Sequence, residues 1–169
     1  MLARFPKSML AILLLIASCA TLADDGRSTD KQRQLIGVFY PRLTQPPSPF
    51  FPDRCPDTHP LLFQFEGESQ STLGPAHFTQ SHCADMALTS FRRGKQAITT
   101  ANGDVLYGVY QGQLLRTPTT AVDSLLIIDG VYQSTGGTGA FAKAFGKGIS
   151  AGTVNTRTGE SIVAVSGAI

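Results

Sequence analysis

The sequence predicts an all-β fold, a single antiparallel eight-stranded β-barrel preceded by a signal peptide and a Pro-rich covering loop. Short runs with apolar residues at alternate positions succeed one another, with turn residues between them. No segment beyond the leader sustains helical periodicity over three turns. The 169-residue chain leaves room for one domain after the leader, and a closed barrel leaves no strand edge unpaired.

Residues 1–23 have the organisation of a bacterial secretion signal. Two basic residues precede the apolar run 9–17, and small residues follow it. This run is too short to cross a bilayer as a helix, which takes roughly 20 residues. We therefore expect export, then a polar tether over residues 24–34 and one barrel domain over residues 35–169.

The leader can be processed in two ways. Residues 16–19 resemble a lipobox, in which Cys19 is acylated and becomes the first residue, and this interpretation is favoured. A lipid on Cys19 would then be the contact with the membrane. The alternative is ordinary cleavage near Ala20 or Ala23, which discards Cys19. The expected location is therefore an outer-membrane lipoprotein or a periplasmic or secreted protein.

The charge of the chain argues against nucleic acid as a partner. The sequence has 14 Lys and Arg against 12 Asp and Glu, and Arg4 and Lys7 leave with the signal peptide. The remaining domain is near neutral, and no basic patch of the kind that attracts nucleic acid or anionic lipid is left.

Cys55 and Cys83 remain as a pair once Cys19 is set aside. In an oxidising compartment an even pair predicts a disulfide. The alternative is a metal site that adds His59, His77 and His82. That alternative is weak, because residues 77 and 82 would lie on opposite faces of a strand and no close ligand spacing occurs. We therefore predict a disulfide, no metal site and no cofactor.

The elements follow in order along the mature chain. Residues 35–40 predict a first strand, and the Pro-rich stretch 41–60 predicts an extended loop tied down by Cys55, because proline removes backbone donors. Asn102-Gly103 predicts a tight hairpin turn, and residues 155–159 predict another. The remaining predicted strands cover residues 61–66, 75–83, 87–92, 96–100, 105–110, 124–132, 148–154 and 160–169.

A glycine-rich segment, residues 136–148, precedes the last predicted hairpin. Residues 137–142 satisfy the dinucleotide pattern G-x-G-x-x-G/A. That pattern binds a nucleotide only where a strand leads into a helix, and no helix is predicted here. We instead expect the glycines to turn the chain at the barrel rim, with Phe141 and Phe145 closing the end of the barrel.

The same segment carries a family resemblance. Gly-Gly-Thr-Gly-x-Phe-x-x-Ala from Gly136, with Gly146-x-Gly148 and Thr153, resembles the C-terminal half of the allene oxide cyclase and dirigent barrel superfamily, especially its bacterial secreted or lipoprotein members. Ser-Thr-Leu-Gly over residues 71–74, Phe78-Thr79, Cys83 and residues 100–104 are similar to the N-terminal half of those members.

The resemblance covers residues 60–169. It implies an eight-stranded antiparallel barrel with an apolar interior, often dimeric or trimeric in plants. The plant enzymes cyclise a fatty-acid epoxide, whereas dirigent proteins steer radical coupling without a catalytic centre. No position of this chain matches their reactive-site residues, so none is carried over.

The favoured function is a non-catalytic envelope module that binds a small apolar or amphipathic ligand, because small barrels can hold one ligand. Aromatic residues with polar tips are the candidates for lining the cavity, although core packing explains each of them equally well. They are Phe63, Phe65, Tyr107, Tyr110 and Tyr132.

Two alternatives stay open. One is an envelope lipoprotein that contacts another protein through its loops, or that forms a homo-oligomer. The other is a cyclase- or isomerase-type enzyme, which requires an acid and a base to converge inside the barrel. The candidates for these two groups are the histidines with Glu66, Glu68, Asp104, Asp123 and Asp129.

Overall fold

The computed structural model describes residues 33–49, 53–117 and 122–169. The predicted signal peptide, Cys19 and the predicted tether up to residue 32 lie outside the described residues. The rest of the chain forms one compact unit, Arg33–Ile169.

Nine β-strands make up most of the described part of this unit. No α-helix occurs in the described ranges, and no helix there has the length and apolarity needed to cross a membrane. One 3₁₀ helix, Gly139–Phe141, precedes β8. The strands are β1 Gln34–Leu43, β2 Ser48–Pro49, β3 Leu61–Ser71, β4 Gly74–Ala84, β5 Ser90–Thr100, β6 Val105–Leu115, β7 Ser124–Gly137, β8 Gly146–Asn155 and β9 Ser161–Ala168.

The sheet closes on itself. Each strand from β3 to β9 pairs antiparallel with the next, and β1 pairs with both β9 and β3. β2 is a two-residue addition alongside β3. Eight strands therefore form a closed antiparallel barrel, and the predicted fold class is confirmed. Closure gives every barrel strand two neighbours, which removes exposed sheet edges.

β5 is one continuous strand, so the prediction of separate strands at residues 87–92 and 96–100 is wrong. The pairing of β5 shifts register between Phe91 and Gly94, where Arg93 has a φ of 52°. An extra residue of this kind is a β-bulge, which bends a strand without ending it. β7 has a similar irregularity at Asp129, with a φ of 50°.

β1 also extends further than predicted and includes Pro41. Its regular ladder with β9 ends at Phe39, with one further bridge between Arg42 and Glu160, whereas its ladder with β3 continues to Leu43. Pro41 lies in the gap between the β9 ladder and that bridge, where its missing N–H interrupts fewer ladder bonds.

One half of the barrel interior is packed solid. This half lies toward the hairpin turns at residues 71–74 and 100–105, and the 3₁₀ helix covers it. Phe141 closes it as expected, but Phe145 is 64% exposed, so the prediction that Phe145 plugs the barrel is wrong. The packed cluster consists of Leu35, Phe39, Ala76, Phe78, Ile98, Leu106, Tyr132, Phe141 and Ile169.

The carboxylate of Asp104 is the reason that residue 139, at the start of the 3₁₀ helix, is a glycine. Asp104 Oδ2 accepts a hydrogen bond from the Ala140 N–H at 3.1 Å. Gly139 has a φ of 51°, and a Cβ there would collide with the Asp104 carboxylate. The segment therefore needs glycine for backbone geometry and close approach, and it lies in a loop between two strands instead of at the start of a βα unit.

The Pro-rich segment is fastened to the outside of the barrel. Cys55 and Cys83 form a disulfide with an Sγ–Sγ distance of 2.06 Å. Both cysteines are buried together with Leu62, which pairs with Cys83 across β3 and β4. The loop thus shields an outward-facing apolar side chain on β3.

Candidate functional site

The other half of the barrel interior holds a cavity of about 210 Å³. It lies between the inner faces of the strands, and its mouth is at the end of the barrel that carries residues 44–47, 53–60, 85–89 and 155–160. Pro47, Leu88 and Thr156 border this mouth. The packed cluster closes the opposite end, so the cavity is a pocket with one open side.

The lining of the cavity is mainly aliphatic and aromatic. None of the residues that line it is Asp, Glu, Lys or Arg. An uncharged, largely apolar wall disfavours an ion, because a buried charge needs a partner charge or several hydrogen bonds. The pocket therefore suits an uncharged occupant.

Four of the five predicted lining residues border this cavity: Phe63, Phe65, Tyr110 and Tyr132. Tyr107 does not, because it is 46% exposed on the outer face of the barrel. Strand side chains alternate between faces, and the register shift beside Tyr107 places its extra residue on β7, so residues 107 and 110 of β6 point to opposite faces. Tyr107 is therefore excluded from the lining.

His82 lies at the centre of an aromatic cage on the cavity wall. Its ring centroid is 4.8 Å from that of Phe91, 5.3 Å from Phe65 and 5.5 Å from Phe63. Tyr110 meets the imidazole edge-on at 5.8 Å. In the sequence, His82 is a candidate metal ligand and, with the other histidines, a candidate acid or base, but not a predicted lining residue. Alternation from the buried Phe78 on the same strand is a signal that could have placed it inside.

Tyr110 holds the His82 ring in place. Its hydroxyl lies 3.0 Å from His82 Nδ1 at hydrogen-bonding distance. Burial lowers the pKa of His82 to about 3, with a smaller contribution from the positive charge of Arg54. Burial also raises the pKa of Tyr110. Both groups are therefore neutral at pH 7, and the imidazole presents one N–H and one lone pair.

Arg54 braces this wall from the loop next to the disulfide. Its guanidinium donates to the backbone oxygen of Arg93 at 2.6 Å and to that of Ser81 at 3.3 Å. Arg93 donates in return to the Arg54 carbonyl at 3.2 Å. Both acceptors lie where β4 and β5 change register. Arg54 thus satisfies backbone groups that the bulge removes from the regular ladder.

Two glutamines extend the polar part of the wall. Gln80 and Gln96 are directly paired across β4 and β5, and both border the cavity. Gln80 is two residues before His82 on the same strand, so both side chains point to the same face. Together with Tyr110 they make one polar patch on β4, β5 and β6, a patch that the sequence analysis did not identify.

Tyr132 has a different environment. Its side chain is 5% exposed, and its hydroxyl has no hydrogen-bond partner among the described residues. A Cβ at Gly148 would collide with the Tyr132 ring, and a Cβ at Gly167 would collide with its hydroxyl oxygen. Burial raises its pKa to about 12. The ring borders the cavity, but its oxygen is enclosed by protein.

His59, Ser90 and Asp85 meet outside the cavity in an order that does not fit nucleophilic catalysis. Ser90 Oγ donates to Asp85 Oδ2 at 2.7 Å, and His59 Nε2 lies 3.0 Å from the same Ser90 oxygen. In a catalytic triad the histidine stands between the acid and the serine. Here the serine is in the middle, so the network joins the Pro-rich loop to the β4–β5 turn.

The carboxylates considered for an enzyme do not line the cavity. Glu68 faces outward and pairs with His77 at 3.1 Å, and Asp123 pairs with Arg157 at 3.1 Å. Asp104 caps the 3₁₀ helix at the packed end. Glu66 and Asp129 are exposed. In the described part of the chain, no group of three or more His, Cys, Asp or Glu side chains is arranged to hold a metal ion.

Comparisons with known proteins identify no function for this site. No protein-family model matches the sequence, and no curated protein matches it. One solved structure is similar, a conserved protein of unknown function, RPA1785, from Rhodopseudomonas palustris. It is 10% identical with a TM-score of 0.49, covering 83% of this chain and 100% of that protein. A TM-score of 0.49 is too low for this similarity to support an inference about fold or function.

Proposed function

We propose that this protein is an exported envelope module that binds one small apolar or amphipathic molecule inside its barrel. The proposal rests on one observation, the cavity of about 210 Å³, which is open on one side and has no charged residue in its lining. Binding sites for small molecules are typically concave and mostly apolar, with a few polar groups that orient the ligand. The cavity has this composition.

Packing gives the proposal its physical basis. Protein interiors are normally filled to crystal-like density, and an empty space of this size loses contacts on every side. The same barrel fills its other half with Phe78, Ile98, Leu106 and Phe141. The contrast between the halves supports a cavity kept open for an occupant.

Export and anchoring rest on the leader sequence, and the superfamily resemblance rests on the sequence motifs. The isomerase alternative requires an acid and a base in the cavity. The carboxylates considered for it lie elsewhere, the lowered pKa of His82 makes its imidazole a weak base, and the raised pKa of Tyr110 makes its hydroxyl a weak acid. The site therefore supports binding better than proton transfer.

A cavity-filling substitution tests the proposal. Val163 borders the cavity, whereas Ile162 beside it on β9 is 41% exposed on the outer face. We expect isopropylbenzene to bind the wild-type protein saturably in titration calorimetry. Val163→Phe should weaken that binding at least 10-fold, because the added ring occupies the cavity. The control Ile162→Phe should leave it unchanged.

Two results would contradict the proposal. One is that the wild-type protein binds none of the aromatic probes of nine non-hydrogen atoms saturably. The other is unchanged affinity in a folded Val163→Phe variant. Circular dichroism of both variants shows whether the barrel is intact.

A further inference from the structure

The polar patch formed by Gln80, His82, Gln96 and Tyr110 is concentrated on one wall of the cavity. These residues lie on the adjacent strands β4, β5 and β6, and all four border the cavity. The surrounding wall contains Phe63, Phe65 and Phe91. Ser150, Asn155, Thr156 and Ser161 also border the cavity, on β8, β9 and the turn between them. The patch is therefore the part of the lining that combines an imidazole with two glutamine amides.

Most of the hydrogen-bonding capacity of this patch is unused within the protein. Tyr110 engages Nδ1 of His82. No hydrogen bond joins His82 Nε2, or the side-chain amide of Gln80 or Gln96, to another residue in the described ranges. Polar groups in protein interiors are normally paired, so an unpaired set that borders a cavity is suited to bind a ligand.

The charge of the wall limits what that ligand can be. The cavity lining contains no ionisable acid or base other than His82 and the two tyrosines. Arg54, the nearest cation that acts on His82, uses its guanidinium on backbone oxygens outside the cavity. A carboxylate or ammonium head would enter with no opposite charge, whereas an uncharged oxygen could use the free imidazole nitrogen and the two amides.

The volume limits its size. A dry cavity of about 150 Å³ accommodates benzene. At the same volume per atom, a cavity of about 210 Å³ holds about eight to nine non-hydrogen atoms. A long acyl chain exceeds this volume unless it extends through the mouth.

We propose that the cavity selects uncharged molecules of about nine non-hydrogen atoms with a carbonyl or hydroxyl oxygen, bound by His82 together with Gln80 and Gln96. This inference rests on the proposed function and deepens it. His82 supplies the central contact because its ring is fixed by Tyr110 and by the aromatic cage. The two glutamines supply both donors and acceptors, so ketones and alcohols both fit.

Four probes of nine non-hydrogen atoms each test the inference: isopropylbenzene with no oxygen, acetophenone with a carbonyl, 1-phenylethanol with a hydroxyl, and benzoate with a charge. Their affinities are measured by titration calorimetry on the oxidised protein at pH 7.5. A purely apolar pocket favours isopropylbenzene, which has no polar group to desolvate. We expect both oxygen-bearing neutral probes to bind at least as tightly as isopropylbenzene, and benzoate not to bind measurably.

Substitutions assign the preference to the patch. His82→Leu, Gln80→Met and Gln96→Met each remove hydrogen-bonding atoms from the wall. We expect the ratio of acetophenone affinity to isopropylbenzene affinity to fall by about 5- to 100-fold in His82→Leu, and by less in each glutamine variant. His77→Leu is the matched control, because His77 lies on the outer face of the same strand. It should leave the ratio unchanged.

The outcomes separate the inference from the proposed function. If isopropylbenzene binds at least 10-fold more tightly than both oxygen-bearing probes and no variant changes the ratio, the inference is wrong and the binding cavity stands. Binding of benzoate at an affinity equal to that of acetophenone also overturns it. If no probe binds at all, the proposed function itself fails. The glutamine variants keep the test decisive should His82→Leu not fold.

Discussion

His82 combines burial, neutrality and a free nitrogen in a single side chain. Its ordinary pKa near 6.5 falls to about 3 in the folded barrel because protonation would place a charge among phenyl rings. The unfolded chain binds a proton below about pH 6.5, and the folded chain does so only near pH 3. His82 therefore lowers folding stability progressively as the pH falls from about 6.5 towards 3.

This linkage predicts a measurable pH dependence. Between pH 6.5 and 4.5, His82 should reduce the free energy of unfolding of the wild-type protein by about 2 kcal/mol. His82→Gln should abolish that part of the loss, because its amide does not titrate. Urea unfolding at the two pH values measures the effect, and His77→Gln is the control on the exposed face. An equal loss in wild-type protein and His82→Gln would show that His82 is not the group responsible.

Tyr132 and Tyr110 should respond oppositely to the same substitution. The Tyr132 hydroxyl is buried without a partner among the described residues, which costs about 1 to 3 kcal/mol. Tyr132→Phe should therefore keep or raise the free energy of unfolding, by about 1 kcal/mol. Tyr110→Phe removes the bond to His82 and should lower the free energy by a similar amount. Chemical denaturation of both variants checks the signs, and a clear loss in Tyr132→Phe would reveal a partner for its hydroxyl.

At the scale of elements, the bulged part of β4 and β5 depends on a loop that is distant in sequence. Arg54 hydrogen-bonds to the backbone there, and the adjacent disulfide keeps the loop in position. The bulge and the loop are therefore one structural unit. The wall that carries His82 belongs to the same unit, so loosening the loop should affect the cavity as well as stability.

Removal of the disulfide tests this coupling. Replacing Cys55 and Cys83 together with alanine should lower the free energy of unfolding by about 3 to 4 kcal/mol, because the unfolded chain is no longer constrained by a loop of about 29 residues. Equilibrium unfolding of oxidised wild-type protein and the double variant measures the difference. Isopropylbenzene affinity should fall as well. A loss below about 1 kcal/mol would show that the disulfide constrains the unfolded chain far less than the chain-entropy model predicts.

For the whole molecule, the two halves of the barrel have different tasks. The half toward the 3₁₀ helix is filled by large side chains and supplies the packed core. The half toward the Pro-rich loop carries the cavity and the β-bulges at Arg93 and Asp129. Bulges near functional sites commonly redirect side chains, and here one lies beside the wall of His82.

The sequence by itself determined the strand-rich fold, the cysteine pairing and the positions of the two hairpin turns. The fold class and the turns depend on residues near one another in the chain. The disulfide follows because two cysteines allow only one pairing. Alternation sets the two faces of a strand, and Asn102-Gly103 sets a hairpin whatever surrounds it. The glycine-rich segment was also correctly placed at the barrel rim, because a nucleotide site requires a following helix.

Only the tertiary structure decided which residues form the site. A bulge shifts which side chains face inward, so the single strand β5 resembled two strands in the sequence. Tyr107 and Phe145 look like interior aromatics, yet their positions on the outer face and in a loop expose both side chains. Gln80, His82 and Gln96 are ordinary polar residues until the pairing of β4 with β5 places them on one wall and closure of the barrel encloses that wall. Their shared environment arises from long-range strand pairing, which composition and local periodicity do not encode.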